Sequence, residues 1–152
     1  MRIYNTIARD QIITEFSDQR GCSLFNLFSN TCNIEQAIAC SSLFWPEIIE
    51  IEDHYFIREF YNNFDINKLR SRFNNDKREI ERRVNAWSIG DLFLMYQKSK
   101  ENDKIFDEFT KVLKFFWELR FKTLFPDKVF TIEIEYELYG ENGMAITVYQ
   151  GK

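Results

Sequence analysis

Between residues 102 and 148 the spacing of apolar side chains changes once, and that change limits the folds open to the chain. Ile105, Phe106, Phe109, Val112, Leu113, Phe116, Trp117, Leu119 and Phe121 recur at helical spacing. They predict one long helix from about Asn102 to Leu124 with a wide apolar face. Pro126-Asp127 ends it. Val129, Phe130, Ile132, Ile134, Tyr136 and Leu138 then mark one strand, and Met144, Ile146 and Val148 the next. Gly140-Glu141-Asn142-Gly143 supplies a turn tolerant of positive φ.

Upstream, residues 5–17 have weak helical spacing with Ile7, Ile12, Ile13 and Phe16 inward, until Gly21 breaks the run. Ser23 is placed to cap a short apolar turn from Leu24 to Phe28, and Asn33 with Gln36 has the form of a capping box opening a second helix. That helix should stop before Pro46. From Glu47 the period changes to two, and a hairpin pairing roughly 48–52 with 54–59 is expected. Asp65 caps a short helix carrying Ile66, Leu69 and Phe73. Asp76 with Glu79 opens another, with Ile80, Val84 and Trp87 inward, which restarts near Gly90 before Leu92, Phe93 and Met95. The expectation is a single α+β domain over residues 1–152. Its helices should pack on a small antiparallel sheet made of the central and C-terminal hairpins, since an isolated hairpin is marginal in water.

The chain carries 16 Phe, 7 Tyr and 3 Trp but only 5 Gly and 2 Pro, so a thick aromatic core is expected. A net charge of −4 argues against phosphate-backbone binding, which needs clustered Lys and Arg, and suits a basic protein partner. Cys22, Cys32 and Cys40 form an odd set without a CxxC pair, and one histidine cannot complete a Cys/His zinc site with them. Buried free thiols are expected. The N-terminal residues show no signal-peptide pattern, and the most apolar stretch, Phe115 to Phe125, is broken by Glu118, Arg120 and Lys122. The expected compartment is the cytoplasm, with no membrane partner.

Candidate chemistry is sparse. His54 lies at the expected hairpin turn and reads as an exposed histidine without a role. Glu47, Glu50, Glu52 and Asp53 form one acidic group. Glu133, Glu135 and Glu137 form another, at a spacing of two that places them on one strand face, about 6.6–7 Å apart, too far to chelate one ion unaided. The second group is the candidate contact surface: an outward acidic row suited to a basic cleft, or charges that keep an edge strand soluble. The segment Lys68–Arg83 is locally basic and reads as a solvated helix face. No GxGxxG, P-loop, GxSxG or HExxH pattern occurs, and nothing implies a cofactor or a metal.

Three stretches carry a family likeness: Leu43-Phe44-Trp45-Pro46-Glu47; then Val84-Asn85, Ile89 and Asp91-Leu92-Phe93; then Thr147-Val148-Tyr149-Gln150. In these the chain resembles a group of small bacterial proteins of uncharacterised function with LFWP-E and VN-x-x-x-I-x-DLF motifs, over about residues 33–95 and the C-terminus. The resemblance implies a shared fold and a toxin-immunity type of role. Where those relatives place histidines, this chain has Ala86 and Ser88. Asn85 and Asp91 are expected to satisfy backbone groups where one helix breaks and the next begins. The functional expectation is a non-enzymatic protein-binding module, an immunity or antitoxin-like inhibitor that occludes a toxin enzyme such as a nuclease. The alternatives are a nucleic-acid-associated accessory protein or a subunit of a larger assembly.

Overall fold

The computed structural model describes residues 1–17, 19–21, 23–93, 103–141 and 143–151. Cys22, Met95, Asn102 and Asn142, named above, lie outside the described residues. The fold is α+β, with two small antiparallel sheets. Its residues cluster into two compact units, Met1–Phe44 with Lys98–Phe116 and Trp45–Gln97 with Trp117–Lys152.

In the first unit a 3-10 turn over Asp10–Glu15 precedes α1 (Leu24–Thr31) and α2 (Ile34–Phe44). Local chemistry sets the boundaries. Ser23 Oγ accepts the Asn26 N–H at 3.1 Å. Asn33 and Gln36 make both arms of the capping box, at 2.8 and 3.0 Å. The α1 entry is held further by Asp10, whose carboxylate accepts the Leu24 N–H at 2.8 Å. Phe44 packs on Phe109 and Phe116 of the long helix α5 (Asp103–Leu124), with ring centroids 6.1 and 5.3 Å apart.

The second unit holds both sheets. Strands β1 (Ile48–Ile51) and β2 (His54–Ile57) pair across a two-residue turn in which Glu52 and Asp53 both take positive φ, the combination that matches strand twist. After α3 (Ile66–Arg72) and α4 (Lys77–Val84) come β3 (Trp87–Ser88), β4 (Phe130–Tyr136) and β5 (Met144–Gln150), in the order β3-β5-β4. Asp65 and Asp76 cap α3 and α4 as the sequence predicts, accepting from Asn67 and Glu79 N–H at 2.9 and 3.0 Å. Phe56 of β2 packs with Ile66, Ile80 and Val84 beneath α3 and α4. On the opposite face Tyr55 meets Phe125 and Phe130 at 4.6 and 5.3 Å.

The two hairpins do not join into one sheet. Two side chains stand between them instead, Glu81 of α4 and Asn85 at its C-cap. Asn85, fully buried, accepts the Ile57 N–H at 2.9 Å and donates to Tyr55 O at 2.9 Å and Val148 O at 2.8 Å. One turn earlier, Glu81, equally buried, accepts the N–H groups of Tyr55 at 2.9 Å and Gln150 at 2.7 Å, and the Gln150 side-chain amide at 2.6 Å. Backbone groups of β2 and β5 that would be orphaned inside the protein thus find partners in a helix and its C-cap. Burial pushes the Glu81 carboxyl up, while the Gln150 and Tyr55 donors pull it back down.

Several expectations are corrected. Trp87 does not extend α4, because Asn85 turns the chain into β3, where Trp87 stacks on Phe60 at 4.9 Å. His54 is not an exposed turn residue: it opens β2, is buried, and its Nδ1 lies 3.1 Å from Glu52 O. β5 does not alternate between core and solvent. Ala145, Thr147 and Tyr149 are buried as well as Ile146 and Val148, because α4 covers the second face. Leu119, expected inward, is exposed, and Leu138 is buried in a 3-10 turn beyond β4. Asn85 does satisfy backbone groups, but those of two strands, not a helix break.

Replacing Asn85 with Ala strands three buried backbone groups, so unfolding stability should fall by about 3 kcal/mol or more. Asn85→Asp should cost at least as much, since it aims a carboxylate at two carbonyl oxygens. Urea unfolding of both variants checks this, and a loss below about 1 kcal/mol would contradict it.

Candidate functional site

The acidic and basic stretches of the sequence meet each other in the second unit. Glu133 lies on the face of β4 that shares α4 as its cover. Its carboxylate takes a bidentate pair of bonds from Arg82, Nε at 2.6 Å and Nη2 at 2.5 Å, and only 15% of the side chain is exposed. Glu135 approaches the same guanidinium at 3.8 Å and stays 56% exposed. Glu137 lies beyond the strand, at positive φ. The three carboxylates therefore do not form one outward row: Arg82 captures the first, and the third leaves the strand. The fork-to-fork geometry holds Glu133 below the usual carboxylate range and Arg82 above the usual guanidinium range.

Around that pair runs a ladder of alternating guanidinium and phenol groups. Arg78 lies over Tyr149 at 4.7 Å, Arg82 over Tyr149 at 5.9 Å and over Tyr139 at 5.2 Å, and Arg83 over Tyr139 at 4.8 Å. Tyr139 donates its hydroxyl to Glu79 at 2.7 Å. Burial and that acceptor push its phenol up to about 12. Thr147 Oγ1 fixes the helix from below, donating to Arg82 O at 2.7 Å.

Two further cations of the basic segment are also engaged. Arg70 pairs with Glu52 and Lys77 with Asp53, and Lys77 also donates to Gln150 at 3.0 Å. Lys128 joins Asp53 at 2.6 Å. Hydrogen bonds from Lys128 and Lys77 hold the Asp53 carboxyl well below its ordinary value. These contacts pin the hairpin turn to α3 and α4. The segment is thus cross-linked at Arg70, Lys77 and Arg82, while Lys68, Arg72, Arg78 and Arg83 stay exposed as expected of a solvated face.

Among the described residues no group of three or more His, Cys, Asp or Glu side chains could hold a metal ion. A depression of about 520 Å³ lined by Glu47, Arg58, Glu59, Tyr61, Asn62 and Asn63 is open and polar. Cys32 is half-buried and Cys40 exposed, so these free thiols are not the buried pair expected. Partial burial, then the neighbouring Cys32, push the Cys40 thiol up, away from the reactive thiolate.

The surface that sequence reading missed is in the first unit. Neither α1 nor α2 contains a buried residue. Phe25 is 82% exposed, Ile34 79%, Ile38 67% and Phe28 48%. Polar neighbours turn inward on their own helices: Ser29, Asn30 and Thr31 donate to the carbonyls of Phe25, Asn26 and Leu27 at 2.7–2.8 Å. Ser41 and Ser42 bond Ile38 O and Ala39 O at 2.6 and 2.7 Å. These two helices thus carry exposed apolar groups, and five of their polar side chains donate to their own backbone. One signal was present in the sequence. Between Gly21 and Pro46 the only charged residue is Glu35, in a chain that is 29% charged.

Of the motif residues quoted above, Glu47, Asp91 and Phe93 are exposed, and others make internal contacts. Asn85, Tyr149 and Gln150 belong to the clamp and ladder. Trp45-Pro46 meets Arg120, whose guanidinium lies 5.1 Å over the indole and donates to Pro46 O at 3.3 Å. No family model, curated protein or solved structure matches the chain.

The Glu133–Arg82 pair has a defined pH signature. Because its carboxyl is depressed in the folded state, its contribution is present above the ordinary glutamate pKa and is lost as pH falls through the folded value. Glu133→Gln should lower stability by about 2 kcal/mol at neutral pH. The gap to wild type should close below about pH 4. Urea titrations across this range measure it, and a gap that persists in acid would contradict the assignment.

Proposed function

We propose that the chain works by binding another protein through the α1–α2 face, as an immunity or antitoxin-like inhibitor that covers the working surface of a toxin enzyme in the cytoplasm. The observation that carries this reading is the run of exposed apolar side chains on two helices bearing one charge between them. Exposed apolar patches of this kind favour protein contacts.

Two other partner classes fit the face poorly. A helix lying on a lipid surface places Lys and Arg along its polar side, and α1 and α2 have neither. No helix among the described residues is long and apolar enough to cross a membrane. Nucleic acid needs free basic groups, whereas several cations of Lys68–Arg83 are held by Glu52, Asp53 and Glu133. In this reading Glu135 and Glu137 keep an electrostatic role toward a basic partner, and Glu133 drops out of the contact set because Arg82 holds it.

Phe25→Asp and Ile38→Asp each place a charge on the contact face without touching a buried residue. A protein retained stoichiometrically by the wild type should bind each variant about 30-fold more weakly, the size of a hot-spot loss of about 2 kcal/mol. Titration against that purified protein, with its enzymatic activity as a second readout, makes the test. Equal affinity for wild type and both variants would remove the face from the account.

A further inference from the structure

The ladder on α4 has open ends. Its middle rung, Arg82, is occupied by Glu133, but Arg78 and Arg83 are exposed, and neither makes an ion pair among the described residues. Each guanidinium is nonetheless held in place. Arg78 lies on the Tyr149 ring and donates Nη2 to its hydroxyl at 3.2 Å. Arg83 lies on the Tyr139 ring and donates Nη1 to Tyr139 O at 3.3 Å. A guanidinium has five N–H donors in a rigid fork, so most of each fork is unused. Exposed arginines are ordinarily mobile, and immobilising one on ligand binding carries an entropic penalty. Here the rings have removed much of that freedom beforehand.

We propose that Arg78 and Arg83 form a docking surface for an acidic peptide segment, each end of the ladder taking one carboxylate in a forked pair. Two tyrosines and Arg82 separate the two guanidiniums, and their backbones are about 7.5 Å apart along the helix axis, so a single small anion does not bridge them. An acidic peptide carries carboxylates repeated along one chain and can offer one to each guanidinium. A nucleic-acid strand fits less well. The Tyr139 and Tyr149 rings are already covered by guanidiniums and offer no free platform to a base. This surface lies on the second unit and does not depend on what covers α1 and α2.

The test is calorimetric titration of the full chain with an oligoglutamate peptide at low salt, with tripolyphosphate and single-stranded DNA as parallel probes. The subject variants are Arg78→Gln with Arg83→Gln. The control pair is Lys68→Gln with Arg72→Gln, which removes the same charge from exposed residues outside the ladder. Oligoglutamate should bind the wild type, bind the subject pair about tenfold more weakly, and bind the control pair within about twofold of wild type. Far-UV circular dichroism and Tm unchanged in the subject pair show that Arg82 and Glu133 still hold. Absence of peptide binding, an equal loss in both pairs, or tighter binding of either phosphate probe would each overturn the proposal.

Discussion

A buried asparagine and a buried glutamate, one helical turn apart at the end of α4, hold the second unit together. Strands β2 and β5 both present backbone groups toward α4, and neither strand pairs directly with the other. Asn85 supplies one acceptor and two donors, and Glu81 supplies acceptors for three N–H groups. An ionised carboxylate buried alone would be strongly destabilising. Hydrogen bonds from backbone and amide donors offset that penalty only if all of them are made. The arrangement therefore fixes the position of α4 over β5 closely, and with it the α4 side chains that reach Glu133, Tyr139 and Tyr149.

From that placement follows the fate of the charged side chains. The acidic row, read in the sequence as a candidate contact surface, and the basic segment, read as a solvated helix face, pair in part with each other and with the β1–β2 turn. Arg82 holds Glu133, Lys77 and Lys128 hold Asp53, and Arg70 holds Glu52. Groups without such partners include the apolar side chains of α1 and α2, which carry one charge between them, and the two outer guanidiniums of the ladder. The proposed protein contact and the proposed acidic-peptide contact rest on these groups.

Legibility in the sequence followed the range of the interaction. Caps at Ser23, Asn33, Asp65 and Asp76 were readable because donor and acceptor lie within three residues, and the α+β class followed from the change of apolar period. Glu81 was not readable. Within a run of alternating charges it looks like any solvated helix residue, and its donors, Tyr55 and Gln150, are remote in the chain. The same distance hid the burial of His54 and Thr147, the separation of the two hairpins, and the pairing of Glu133 with Arg82. The exposed α1–α2 face was hidden for another reason: apolar residues at helical spacing are read as core, and only the missing charges betrayed them.

Native-state hydrogen exchange of the Tyr55, Ile57 and Gln150 amides examines the clamp most directly, because all three N–H groups end on side chains of α4 or its C-cap and not on a strand. If Glu81 and Asn85 join the two sheets, these amides should exchange only through global unfolding, as slowly as the best-protected amides of β5. Exchange at the rate of a frayed strand edge, while the β4–β5 ladder stays protected, would show that the sheets are held by something else.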